Sequence, residues 1–168
     1  MNSMKLIVMR HGEAEAQNTS DKTRNLTEYG IQQAKNAGHW LSKNFAEFAQ
    51  LDAAIVSPYN RAQQTFHALA SAVKVSNVVT AVELTPNAKV QKVQKLLFNF
   101  CNSRPNTQSL LLVSHMPLVS YVLDDILMTH QANLFATSSM AIINYDIERG
   151  TGRLLQFYHP MSEQQISK

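Results

Sequence analysis

Short, wholly apolar runs alternate with longer amphipathic stretches along this chain. Lys5–Met9 (KLIVM), Ala53–Val56 (AAIV) and Leu110–Val113 (LLLV) read as strands buried on both faces. Val78–Val82, flanked by polar residues, is a further strand candidate. Met140–Ile147 and Arg153–Tyr158 lie either side of Gly150 and Gly152 and predict a late antiparallel hairpin. Helical spacing fills the intervals. Thr27 is the expected N-cap of a helix in which Ile31, Ala34, Gly38, Leu41 and Phe45 recur at roughly helical spacing. Asn60–Val73 gathers Ala62, Phe66, Leu69, Ala70 and Val73 on one side, with Trp40 expected as a core anchor of the preceding helix. Val90, Val93, Leu97 and Phe100 mark a third helix, and Leu118, Val122 and Ile126 a fourth. This alternation predicts an α/β fold: one three-layer domain over residues 1–168, a mostly parallel central sheet, and helices on both faces. No repeat or linker divides it, and residues 162–168 are expected to form a frayed tail.

In open α/β sheets ligands bind beyond the carboxyl ends of the strands. The first strand runs into Arg10-His11-Gly12-Glu13, the second into Ser57-Pro58 with Arg61 one helical turn on, and the third into Ser114-His115-Met116-Pro117. Two arginines and two histidines converging on one sheet edge describe a pocket for a tetrahedral dianion. The arginine fork donates paired hydrogen bonds to phosphate oxygens. Neutral imidazole can attack phosphorus if an acceptor fixes its other nitrogen. Gly12 would let the backbone pass close to that ring and to the phosphate. The helix starting near Pro117 would add backbone N–H groups.

Composition narrows the partners. Of 168 residues, 45% are apolar and 16% charged, and 15 basic against 12 acidic side chains leave a net charge of +3. The basic residues are spread from Lys5 to Lys168 without a run, which argues against nucleic acid and suits an anionic substrate. Cys101 is the single cysteine, so neither an intramolecular disulfide nor a thiol metal site can form; it reads as a small buried hydrophobe. Lys5 is the only charged residue before Leu6–Met9, a run too short for a signal peptide, and no apolar run reaches membrane length. A cytoplasmic protein is expected, starting at Met1 or Met4.

The motifs MRHGEA (Met9–Ala14), SPYNRAQQT (Ser57–Thr65) and VSHMPLV (Val113–Val119), in this order and at strand ends, resemble the three signatures of the histidine phosphatase superfamily. RNLTEYG (Arg24–Gly30), ELTPNA (Glu83–Ala88) and FATSSMA (Phe135–Ala141) are similar to its short SixA type, the phosphohistidine phosphatases. The likeness runs from Lys5 to about Tyr158 and implies a phosphoglycerate-mutase-like fold. It also implies that His11 attacks phosphorus and becomes a phosphohistidine, and that Arg10 and Arg61 bind the phosphoryl oxygens. His115 completes the pocket, and water hydrolyses the intermediate with no metal or other cofactor. Arg24 matches a basic position of the short subgroup and is expected at the phosphate with Gly12; Thr137, Ser138 and Ser139 either line the pocket edge, as the resemblance implies, or form a polar loop before a strand. Glu83 is the first candidate proton donor and Glu13 the second, and either can equally be a surface carboxylate.

Alternative readings of single residues are weaker. His39, His67, His130 and His159 share no metal spacing and read as surface or capping residues. Ser57 lacks the Gly-x-Ser-x-Gly elbow of a serine nucleophile. Asp124 and Asp125 read as the wet face of a helix, and Met116 and Met128 as core filler. Only 53 residues separate Arg61 from His115, and one strand and one helix use most of them. That leaves little for a lid and predicts an open groove, suited to a phosphorylated side chain on another protein. The expected partner is a phosphohistidine-carrying protein (a phosphotransfer domain or carrier), met by a monomer that binds neither nucleic acid nor membrane. A small-molecule phosphomonoesterase of the same superfamily and a non-catalytic phosphohistidine-binding module are the competing readings.

Overall fold

Period-two alternation decides the layering. In β1 (Ser3–Arg10), Leu6 and Val8 point to one side of the sheet and Ile7 and Met9 to the other, and all four are buried. A computed structural model describes residues 2–17 and 19–160; the expected tail at 162–168 and the first candidate start, Met1, lie outside them. After β1 come α1 (Glu28–Asn44), β2 (Gln50–Val56), α2 (Asn60–Leu69), β3 (Lys74–Thr80) and α3 (Val90–Ser103). β4 (Ser109–Ser114), α4 (Leu118–Leu127), β5 (Met140–Asp146) and β6 (Thr151–Tyr158) complete the chain. The six strands form one sheet in the order β3-β2-β4-β1-β5-β6. β3, β2, β4 and β1 are parallel, while β5 runs antiparallel to both β1 and β6.

The two apolar faces recruit different helices. Leu6, Val8, Ile55, Leu110 and Leu112 pack with Val93 and Leu97 of α3 and Val119, Val122 and Leu123 of α4. Ile7, Met9, Val56, Leu111 and Val113 pack with Ala37 and Leu41 of α1 and Ala62, Phe66 and Leu69 of α2. The result is the expected three-layer α/β domain with its late antiparallel pair. Thr27 caps α1 as expected, its side chain accepting from Gly30 N at 2.9 Å. Trp40 is only half-buried, stacking its ring near Tyr158 at the rim of the second cluster.

Two boundaries depart from the hydrophobic pattern. β3 starts at Lys74, and the expected segment Val78–Val82 covers only its second half. β3 is an edge strand with mostly exposed side chains, so Lys74, Ser76 and Asn77 carry no burial signal. Val82 lies beyond the strand in a 3₁₀ turn (Val82–Leu84) and is exposed. α2 stops at Leu69, short of Val73, although Val73 is buried. The apolar spacing there continues through the turn into β3, where core contact rather than helix sets it.

Candidate active site

Strand register brings the motifs level. β4 pairs with both β1 (Arg10 opposite Ser114) and β2 (Val56 opposite Val113). The ladder extends one step further, with His11 N donating to Ser114 O and Ser57 N to Val113 O, each at 3.0 Å. His11, Ser57 and His115 therefore leave the sheet side by side. Arg61 reaches the same place from the first turn of α2. Each of these four is at most 5% exposed.

His11 is held in one protonation state. Its Nδ1 lies 2.6 Å from the carbonyl oxygen of Gly12. A carbonyl only accepts, so Nδ1 carries the proton and Nε2 keeps its lone pair. Arg61 Nε donates to that Nε2 at 3.3 Å, which requires the same tautomer. Burial lowers the pKa of the ring to about 3; the bond to Gly12 works against this, and the charges of Arg61, Arg10 and Arg24 add to it. The imidazole is neutral over the physiological range.

His115 sits beside it, the two ring centroids 5.1 Å apart. Burial, then His11 and the three arginines, hold its pKa down at about 2. Its Nε2 is 2.7 Å from Ser57 Oγ, and Tyr59 meets the ring edge-on at 5.2 Å. Arg10 donates from Nη1 to Phe135 O at 2.7 Å, and its own pKa is lowered by burial and then by Arg61 and Arg24. Arg61 is gripped by Asp21, donating to the backbone oxygen at 2.6 Å and to Oδ2 at 3.1 Å. Arg24 Nε lies 3.4 Å from the other oxygen of the same carboxylate. The three guanidinium groups thus share one field, with Asp21 as the carboxylate bonded within it.

Among the described residues, the buried side-chain polar atoms without a hydrogen-bond partner are Arg10 Nε, Arg24 Nε, His115 Nδ1, Ser138 Oγ and Ser139 Oγ. All belong to this neighbourhood: Ser138 N donates to His11 O, and Arg10 N to Ser139 O. Buried polar groups are ordinarily paired. Arg24 Nε still has its ion pair with Asp21, which leaves four unpaired atoms, on Arg10, His115, Ser138 and Ser139, for a ligand rich in acceptor oxygens.

Several expectations change on this geometry. Gly12 uses both backbone groups inside the protein, its carbonyl accepting from His11 Nδ1 and its N–H donating to Thr65 Oγ1 at 2.9 Å. Its lack of a side chain serves packing, because a Cβ there would lie 2.6 Å from Gly30 O in α1. At the start of α4, the N–H groups of Val119, Ser120 and Tyr121 bond to His115 O and Pro117 O, so they do not face a ligand. Glu83 lies in the 3₁₀ turn after β3, half-buried. Ser114 Oγ donates to the adjacent Leu84 O at 2.7 Å, which ties that turn to the His115 strand end.

No inserted helix roofs the interval between Arg61 and His115. The walls come instead from outside it: the segment with Asp21 and Arg24, and the loop from Met128 to Ser139 whose Phe135 carbonyl holds Arg10. Asp124 organises that loop, accepting from Thr129 Oγ1, Gln131 N and Ala132 N, and is more than a wet face. Met128 is 78% exposed and fills no core, whereas Met116 packs against it. Cys101 is buried, with its thiol pKa raised by burial. His39, His67, His130 and His159 are exposed. Among the described residues no group of three His, Cys, Asp or Glu is set to hold a metal, and no helix is long and apolar enough to cross a membrane. Asp21 and Ser57 were the residues that pattern reading missed; the i,i+3 spacing of Asp21 and Arg24 was the available hint.

The family model described as histidine phosphatase superfamily (branch 1) matches residues 6–89. The chain is 34% identical over 148 residues to the phosphohistidine phosphatase SixA homolog of Haemophilus influenzae, covering 85% of this chain and 89% of that protein. It is 31% identical over 150 residues to phosphohistidine phosphatase SixA of Escherichia coli, covering 89% of each. Among solved structures, the protein histidine phosphatase SixA complexed with tungstate superposes with a TM-score of 0.85 at 30% identity, covering 94% of this chain and 97% of that one. By family model, by relatives and by fold, this chain belongs to the histidine phosphatase superfamily.

Proposed function

We propose that this protein is a phosphohistidine phosphatase that removes the phosphoryl group from a histidine of another protein through a phospho-His11 intermediate. The observation that carries this is His11 itself: Nδ1 is committed to Gly12 O, leaving a neutral, buried Nε2 lone pair beside Arg61. Nε2 attacks phosphorus, the P–N bond of the substrate breaks, and the departing imidazole takes up a proton. Water then attacks phosphorus, the P–N bond breaks with its electron pair returning to Nε2, phosphate leaves, and the proton that water gives up balances the one taken by the departing imidazole. Arg10, Arg61 and Arg24 balance the charge that the phosphoryl oxygens carry through both transfers, and His115 donates to the same oxygens. Imidazole leaves more readily than an alkoxide, so a strong carboxylic acid is not required at Glu83 or Glu13.

The relatives named for phosphohistidine, and the absence of inserted cover between α2 and His115, favour a protein side chain over a small ester. The test is turnover of a protein phosphohistidine beside a small aryl phosphate, with wild type and His11→Ala in parallel. Fast release from the protein, lost in the variant, is expected. Activity on the ester alone would move the reading to small metabolites, and binding without turnover of either would make this a recognition module.

A further inference from the structure

The second histidine poses a tautomer problem that its neighbours resolve. To bind a phosphoryl oxygen, His115 must present an N–H, and one of its nitrogens, Nε2, is already within 2.7 Å of Ser57 Oγ. The other, Nδ1, is buried without a partner. It is therefore the ring's one polar atom left to meet an oxygen of the substrate. A neutral imidazole carries one proton, so which nitrogen holds it decides whether His115 attracts or repels an anion.

Ser57 is fully buried, and its Oγ already accepts from Tyr59 N at 3.3 Å. Among the described residues the hydroxyl hydrogen has one acceptor, Nε2 of His115. If Nε2 held the proton and donated to Oγ, the serine hydrogen would be buried without an acceptor. The lone pair on Nδ1 would also face the oxygens of an anion. With an anion in the site both faults disappear if the serine donates, because Nδ1, otherwise buried without a partner, then gives its hydrogen to an anion oxygen. We propose that Ser57 is a positioning residue: its hydroxyl donates to Nε2 of His115, fixing the proton on Nδ1 and making that nitrogen a preset donor to the phosphoryl group. The backbone supports this arrangement from the sheet, since Ser57 N is anchored to Val113 O, two residues before His115. The strongly lowered pKa of His115 agrees with a neutral ring, for which a single tautomer can be selected.

This inference rests on the phosphatase reading for the anion that Nδ1–H meets, whereas the tautomer is read by spectroscopy independently of turnover. The test is ¹⁵N NMR of the histidine rings at neutral pH in wild type, Ser57→Ala and Ser57→Thr, with His115 assigned by His115→Asn. Wild type is expected to show His115 with a protonated Nδ1 and a bare Nε2. Ser57→Ala should lose this preference, and kcat/KM for the phosphohistidine protein should fall about 10- to 100-fold, less than the roughly 10²–10³-fold cost of removing an oxyanion donor outright, because the ring itself stays in place. Ser57→Thr, which keeps the hydroxyl, should keep the Nδ1–H signature and recover most of the rate. A wild-type spectrum with the proton on Nε2 overturns the proposal whatever the activity, and so does an unchanged tautomer in folded Ser57→Ala. An inactive wild type with the expected spectrum would instead overturn the phosphatase reading and leave the Ser57 assignment standing.

Discussion

Acid should destabilise this protein through its two site histidines, and the size of the effect follows from their burial. In the unfolded chain each ring titrates near 6.5, whereas folding holds His11 at about 3 and His115 at about 2. A folded pKa below the unfolded one means that the unfolded chain binds protons first as pH falls. The stability these groups contribute is therefore complete above about pH 6.5 and drains away between there and pH 3. From pH 7 to pH 5 each neutral ring costs about 2 kcal/mol of stability, a figure that needs only folded values well below 5 and an unfolded value near 6.5. Together they remove about 4 kcal/mol, a large part of the 5–15 kcal/mol typical of a domain. Urea unfolding at pH 7, 6 and 5 measures this directly, with the double variant His11→Asn/His115→Asn as control. The variant should be less sensitive to pH across this window by close to two protons. An equal pH dependence in wild type and double variant would refute the claim that these rings are buried neutral.

Three further outcomes follow from the geometry. Arg61→Ala removes the guanidinium that bonds both His11 Nε2 and Asp21, and kcat/KM should fall by roughly 10²–10³-fold in a steady-state assay; Asp21→Asn, which keeps the shape but not the charge, should mainly shift KM. Gly30→Ala would set a Cβ 2.0 Å from Glu13 O, so the loop after His11 must move; a loss of about 1–3 kcal/mol on thermal unfolding and a marked loss of rate are expected. Glu83→Gln should change turnover of a phosphohistidine protein by no more than a few-fold while slowing an aryl ester more, and an equal large loss on both would make Glu83 a required acid.

The chain sequence by itself determined the layers and the address of the chemistry. Short apolar runs such as KLIVM and LLLV, set between longer amphipathic stretches, read as strands covered on both faces, and parallel strands send their carboxyl ends to one edge. Once Arg10-His11, Arg61 and His115 follow such runs, their meeting is a consequence of topology. Boundaries failed at β3, whose edge position leaves polar residues in a strand, and at α2, where Val73 stays buried beyond the end of the helix. What only the tertiary structure decided were pairings between residues far apart in the chain. That Gly12 serves His11 and packs on Gly30, that Asp21 rather than Glu83 is bonded to the arginines, and that Ser57 faces His115 depend on loop paths set to within an ångström. Hydrophobic periodicity carries which face of an element is covered, but a hydrogen bond depends on distance and angle. Those are fixed only when the two packed layers have brought the loops together above the sheet.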